Sequence, residues 1–195
     1  MIAIVDYGAG NISSVKKAFE HLGAQVEVTS DESVINAAEK VVVPGVGHFS
    51  RCESLNSRLR VPVLKSIEQG RPFLGICVGM QWLFAGSTEA PGTPGAGLFP
   101  GECARFPSQV KSPHVGWNQI DLRGSSRLLH GVDDGAFVYY THSYRAPLVA
   151  GAVASTEYGG QFSAAVERDN IFGVQFHPEK SSHAGLRILE NFCEL

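Results

Sequence analysis

Arg71-Pro72-Phe73-Leu74-Gly75-Ile76-Cys77-Val78-Gly79-Met80-Gln81 joins an apolar run to a helix-forming one, with a cysteine at the junction. Pro72 to Ile76 reads as a buried strand, and Val78 to Phe84 as a helix that begins at once. Cys77 then occupies a strand-to-helix corner. So sharp a turn strains its apex residue, and Gly75 and Gly79 remove the Cβ atoms that would crowd it. The spelling is G-x-nucleophile-x-G, with cysteine as nucleophile. At a helix N-terminus a thiolate gains from unpaired N–H groups and the helix dipole. A structural cysteine between packing glycines would be spelled the same way.

Working back from this corner, Ile2 to Val5, Val26 with Val28, and Lys40 to Val43 read as strands. Between them, Ile12, Val15, Phe19 and Leu22 mark one face of a helix capped by Asn11 or Ser13 and ended by Gly23. Asp31 caps a short helix through Val34, Ile35 and Ala38. The third strand stops at the loop Pro44-Gly45-Val46-Gly47, and a helix interrupted near Pro62 fills Ser50 to Gln69. Three β–α units followed by a fourth strand imply an α/β fold, with a mostly parallel sheet and helices on both faces. Ligands of such sheets gather at the carboxyl ends of strands, where the loops after Val5, Val43 and Ile76 meet.

Working forward, Ser87 to Gly97 is a Gly, Pro and Thr-rich surface loop. Beyond it, Ala104–Phe106, Trp117–Leu122, Ala136–Tyr140, Ala150–Ser155, Phe162–Glu167 and Ile171–Phe176 read as strands joined by short turns, adding antiparallel pairs to the second half. Ala184 to Cys193 is a helix with Leu186, Leu189 and Phe192 facing inward. The 195 residues are expected to form a single domain, 1–195.

Composition narrows the function. A net charge of -3 without long basic runs disfavours nucleic acid and anionic membranes as partners. No apolar stretch approaches bilayer length, and the start lacks the features of a secretory signal. The four cysteines have no C-x-x-C spacing, so no metal site is expected and a reducing, cytoplasmic location is.

Phe176-His177-Pro178-Glu179 ends an apolar strand. Residues two apart in an extended segment share a side, so Glu179 can reach the His177 ring. A thiol nucleophile needs a base, and the resulting imidazolium needs a carboxylate on its other nitrogen. Cys77, His177 and Glu179 supply those roles. Acyl transfer also needs oxyanion donors, for which the Val78 N–H and the Gly45-Val46-Gly47 loop are candidates. A rival signal is Gly8-Ala9-Gly10-Asn11-Ile12-Ser13 with Asp31 beyond, which imitates a dinucleotide-binding fingerprint except that Ser13 stands where Gly or Ala is needed.

Together these motifs resemble the class I (triad) glutamine amidotransferases, a flavodoxin-like α/β family. Val5-Asp6-Tyr7-Gly8-Ala9-Gly10-Asn11, Pro113-His114-Val115-Gly116-Trp117-Asn118, His142-Ser143-Tyr144 and Lys180-Ser181 resemble the branch serving imidazole glycerol phosphate synthesis, as against the anthranilate and pyridoxal phosphate branches. The resemblance implies a cofactor-free glutaminase that binds glutamine through Gln81, Glu89, Ser143 and Tyr144, with oxyanion donors at Val46, Gly47 and Val78. It also implies a (β/α)8 barrel cyclase partner docking through Asn11, Trp117, Tyr140 and Lys180. His48, Ser50 and Trp82 depart from the family pattern. A nicotinamide-dependent oxidoreductase and a catalytically silent interaction module are the alternatives from other classes.

Overall fold

The computed structural model describes residues 1–195. Its first half alternates β1 (Ile2–Val5), α1 (Ile12–His21), β2 (Val26–Thr29), α2 (Glu32–Ala37), β3 (Lys40–Gly45), α3 (Cys52–Arg58), α4 (Arg60–Glu68), β4 (Phe73–Cys77) and α5 (Val78–Gln81). The second half holds β5 (Ala104–Arg105), β6 (His114–Gln119), β7 (Asp121–Leu122), β8 (Phe137–His142), β9 (Tyr144–Arg145), β10 (Ala152–Glu157), β11 (Gln161–Arg168), β12 (Ile171–Val174) and α6 (Ser182–Glu194). Eight strands form one sheet in the order β2-β1-β3-β4-β12-β11-β10-β7. Strands β2, β1, β3, β4 and β12 are parallel, and β11, β10 and β7 extend the sheet antiparallel.

Every residue of β1, β4 and β12 is buried, so both faces of the parallel core are covered. This is why these strands read as continuous apolar runs. On one side α1 meets α6 through Phe19 and Phe192, whose ring centroids are 6.1 Å apart. Asp31 caps α2 by accepting from the Ser33 N–H at 2.7 Å. Gly23 follows α1 with φ +79, a left-handed ending that favours glycine.

Several boundaries differ from the sequence reading. Strand β3 continues through Pro44 and Gly45, which pair with Ile76 and Cys77. The break in the 50–69 helix falls at Leu59 (φ -119), ahead of Pro62, because a proline in the first turn of α4 costs no hydrogen bond. Helix α5 stops after one turn, and the chain tightens through Leu83 N–H to Met80 and Phe84 N–H to Gln81. In α6 the buried stripe is Ile188, Leu189 and Phe192, with Leu186 only partly covered. Strands β6 and β8 pair with each other as a separate antiparallel ribbon.

Candidate active site

The β4–α5 corner forces Cys77 to φ +54, a conformation that L residues rarely adopt. Its neighbours explain how the strain is held. A Cβ on Gly75 would lie 2.5 Å from the Gly79 carbonyl oxygen, and one on Gly79 would collide with the Val43 carbonyl. Gly45, opposite Cys77, would place a Cβ 2.7 Å from that of Val78 and 2.6 Å from the Tyr7 hydroxyl. Three glycines therefore let the backbones close around the corner and fix the thiol at the carboxyl end of the sheet.

His177 and Glu179 leave β12 beside it. The His177 Nδ1 lies 2.9 Å from Glu179 Oε1, with both side chains buried. The expected pair is present but not by strand alternation: β12 ends at Val174, and Pro178–Lys180 forms a single 3-10 turn that brings the Glu179 carboxylate back to the ring. Asn11, positioned to cap α1, sends its Nδ2 to the same Glu179 oxygen at 3.4 Å and makes no side-chain cap bond. Burial, the largest influence on His177, opposes a charged ring. Cys77 and then Glu179 outweigh it and raise the imidazole to about 10. The Nε2 atom has no hydrogen-bond partner in this arrangement and is the ring nitrogen left for proton transfer.

A cavity of about 260 Å³ opens over the thiol, lined by Gly47, Cys77, Val78, Gln81, Glu89, Pro113, Thr141, His142, Ser143 and Tyr144. It brings together every residue expected to bind substrate. Three of them are already engaged: Glu89 accepts from the Phe49 N–H at 2.8 Å, and Gln81 donates from Nε2 to the Tyr144 carbonyl at 2.8 Å. A larger cavity of about 370 Å³, around Arg127, His130 and Glu167, contains no cysteine and is remote from the thiol.

Gly47 lines the thiol cavity, whereas Val46 lines a neighbouring one with Gly8, Ala9, Gly10 and Arg51, to which Gly47 also contributes. The segment is thus a wall between two spaces. Gly47 has φ +91 and open surroundings, with the Arg51 side chain 3.7 Å from a hypothetical Cβ. Of the two glycines only Gly47 is uncrowded, since Gly45 is paired with Cys77 in β3. The departures in the family pattern are accommodated nearby. His48 accepts from the Ser50 N–H at 3.2 Å, and the buried Trp82 donates to Asn56 Oδ1 at 2.9 Å.

The rival fingerprint has another use. A Cβ on Gly10 would lie 3.1 Å from the Pro44 carbonyl oxygen, so the Gly8–Asn11 loop packs against the end of β3. The Asp31 carboxylate is spent on capping α2.

Among the expected docking residues, Trp117 is 51% exposed and Lys180 is exposed. Tyr140 is a correction: it is fully buried, with its hydroxyl 2.7 Å from Thr156 Oγ1. Strand alternation turns Tyr139 outward instead, where it meets Trp117 edge-on at 5.9 Å and Lys180 Nζ at 5.7 Å. Val115 and Phe137 extend this exposed apolar face. Its backbone is tied to the catalytic segment, because the His177 N–H donates to the Tyr139 carbonyl at 2.9 Å and Ser181 Oγ accepts from the Tyr139 N–H at 2.9 Å.

Three contributors escaped the sequence reading of the residues. Gln175 lies two positions before His177 with its Nε2 3.7 Å from Cys77 Sγ, and Ser181 clamps His177 by donating to its carbonyl at 2.6 Å. The third is a buried pair, His114 and His142, with His142 Nε2 accepting from His114 Nδ1–H at 3.1 Å. The tautomers follow from the ends of the chain. His142 Nδ1 must donate to the Tyr144 carbonyl (2.9 Å), and Asn118 Nδ2 donates to His114 Nε2 (3.3 Å).

The glutamine amidotransferase class-I family model matches residues 3–195. The imidazole glycerol phosphate synthase subunit HisH of Methanothermobacter thermautotrophicus is 48% identical over all of this chain and 98% of its own length. The subunit of that name from Thermococcus kodakarensis is 47% identical over the full length of both. Among solved structures, PurLQS from Thermotoga maritima matches in fold with a TM-score of 0.77 at 18% identity, covering 99% of this chain and 97% of that one.

Proposed function

The chain belongs to the class-I glutamine amidotransferase family, and on that premise we propose that residues 1–195 act as one glutaminase domain, the glutamine-hydrolysing subunit of an imidazole glycerol phosphate synthase in histidine biosynthesis. The observation that carries the reading is the buried His177–Glu179 pair beside a cysteine held at φ +54. Cys77 attacks the side-chain amide carbon of glutamine. The tetrahedral oxyanion is met by the Val78 N–H and by a donor from Val46 or Gly47. His177 delivers its proton through Nε2 to the departing ammonia, then takes one from the water that hydrolyses the glutamyl thioester. Glu179 orients the ring throughout and takes no proton. Gln81, Glu89 and the Ser143–Tyr144 segment hold the substrate, with Glu89 toward its ammonium.

Ammonia released to water near neutral pH becomes ammonium, which has no lone pair for attack. An adjoining acceptor site is therefore required, and we assign it to a cyclase subunit with a (β/α)8 barrel. Asn11, Trp117, Tyr139 and Lys180 form the docking face, supported by its exposed apolar surface and its bonds to the His177 segment. Four free thiols suit a cytoplasmic location, and no helix is long and apolar enough to cross a membrane.

Activity is gated at Gly47. One oxyanion donor is worth on the order of 10²–10³ in rate, so turning one peptide switches the site. The test is glutamate release by the isolated chain against the chain with the cyclase and its nucleotide ligand. Strong stimulation is expected, and a lone chain already as fast as the stimulated complex would overturn the gate. Gly47→Ala strains a φ of +91 and should blunt stimulation more than glutamine binding.

A further inference from the structure

Gln175 is fully buried, and both ends of its amide are engaged. Its Oε1 accepts from Gln81 Nε2 at 3.0 Å, and its Nε2 lies 3.7 Å from Cys77 Sγ. The orientation of the amide is fixed from outside. The Tyr144 carbonyl can only accept, so Gln81 must turn its NH2 toward it. The second hydrogen of that NH2 then faces Gln175, which must answer with its oxygen. What remains for the sulfur is the Gln175 NH2, a donor.

We propose that Gln175 is a catalytic group that donates from Nε2 to Cys77 Sγ, holding the sulfur as an oriented thiolate for attack on the substrate amide. The inference rests on Cys77 being the nucleophile. Gln175 is fully buried, so its NH2 is held against the sulfur with no solvent-exposed alternative. The same hydrogen bond restrains the Cys77 side chain. Gln81 thereby serves two purposes, lining the substrate cavity and fixing the polarity of the amide behind the nucleophile.

The test is the rate of iodoacetamide alkylation at Cys77, followed by peptide mass mapping so that Cys52, Cys103 and Cys193 do not contribute. Gln175→Glu retains the acceptor for Gln81 and removes the donor to sulfur. Gln175→Met removes both without adding charge. In each, alkylation at pH 7 is expected to fall about tenfold and to be accompanied by a lower kcat for glutamate release in the cyclase complex. Near-UV circular dichroism establishes folding, and should the buried carboxylate prevent it, Gln175→Met decides alone. Wild-type alkylation in folded Gln175→Met overturns the proposal, even where Gln175→Glu is slow, because the slowing then reports the new charge and not the lost donor. Failure of the nucleophile assignment is read separately, as glutamate release retained by Cys77→Ser.

Discussion

Two buried histidine sites flank the thiol cavity and prefer opposite charge states. His177 faces a carboxylate and the nucleophile, and its imidazole is raised to about 10 despite burial. His142 faces a carbonyl and a second imidazole. Burial dominates there and lowers it to about 3, while burial lowers His114 to about 4. All three are at most 6% exposed, so exposure does not separate them. What separates them is whether a full negative charge meets the ring or only a dipole does. One site is built to hold and release a proton, the other to keep a fixed chain of donors between Asn118 and the Tyr144 carbonyl.

Between the two histidine sites, the largest expected effect comes from deleting the charged one. His177→Ala should lower glutamate release on the order of 10³–10⁴-fold in the cyclase complex, because the proton donor to the leaving group is gone. Glu179→Gln should cost less, about 10²-fold. Asn11 Nδ2 and the ring Nδ1–H both require an acceptor at the same position, so the amide oxygen can take the place of Oε1 and keep the ring oriented. Equal inactivity of the two variants, measured side by side, would remove the distinction between orienting and proton-transferring roles.

Stability against pH sharpens the comparison, since the two sites act in different windows. His114 and His142 have folded values below the unfolded reference of about 6.5, so the unfolded chain binds more protons between them. Their contribution is complete above pH ~6.5 and is lost as pH falls toward about 4 and then about 3. His177 has the opposite sign: its contribution is complete below pH ~6.5 and is lost as pH rises toward about 10. Urea unfolding should show stability falling by roughly 4 kcal/mol between pH 6.5 and 4.5, about 2 kcal/mol from each ring. A flat profile there would mean that the buried pair is not neutral in the folded chain.

The smallest effect is at the clamp joining the β6–β8 ribbon to the charged site. Ser181→Ala leaves the Tyr139 N–H without its acceptor and should cost about 1–2 kcal/mol of stability. A thermal melt at wild-type temperature would show that the clamp contributes nothing.

The parallel half and the catalytic constellation were legible in the sequence because their signals are local. Apolar runs on both-face-buried strands, two glycines around Cys77, and a carboxylate two residues beyond His177 each lie within one short segment. The ribbon of β6 and β8 was harder. Tyr139 and Tyr140 are the same residue type, so composition cannot say which faces outward, and the ribbon stands outside the main sheet, so the registers of the sheet strands do not carry over to it. The pairing of His114 with His142 joins residues 28 apart in sequence. Gln175, just past the end of β12, carries no signal until Gln81 and Cys77 are seen beside it, and Glu179 reaches His177 through the Pro178–Lys180 turn, although the short spacing already joined the two in sequence. Gly45 was placed in the loop after β3 for a different reason: a glycine needed for close approach within a strand and one needed in a turn look alike in sequence.

The most direct test of the central claim is glutamate release by Cys77→Ser in complex with the cyclase subunit and its nucleotide ligand, with binding of the variant to the cyclase measured on the same samples. Hydrolysis should fall to background while binding stays at the wild-type level, because only the nucleophile changes. Hydrolysis at the wild-type rate from the bound variant would contradict Cys77 as the attacking group and, with it, the account of the site.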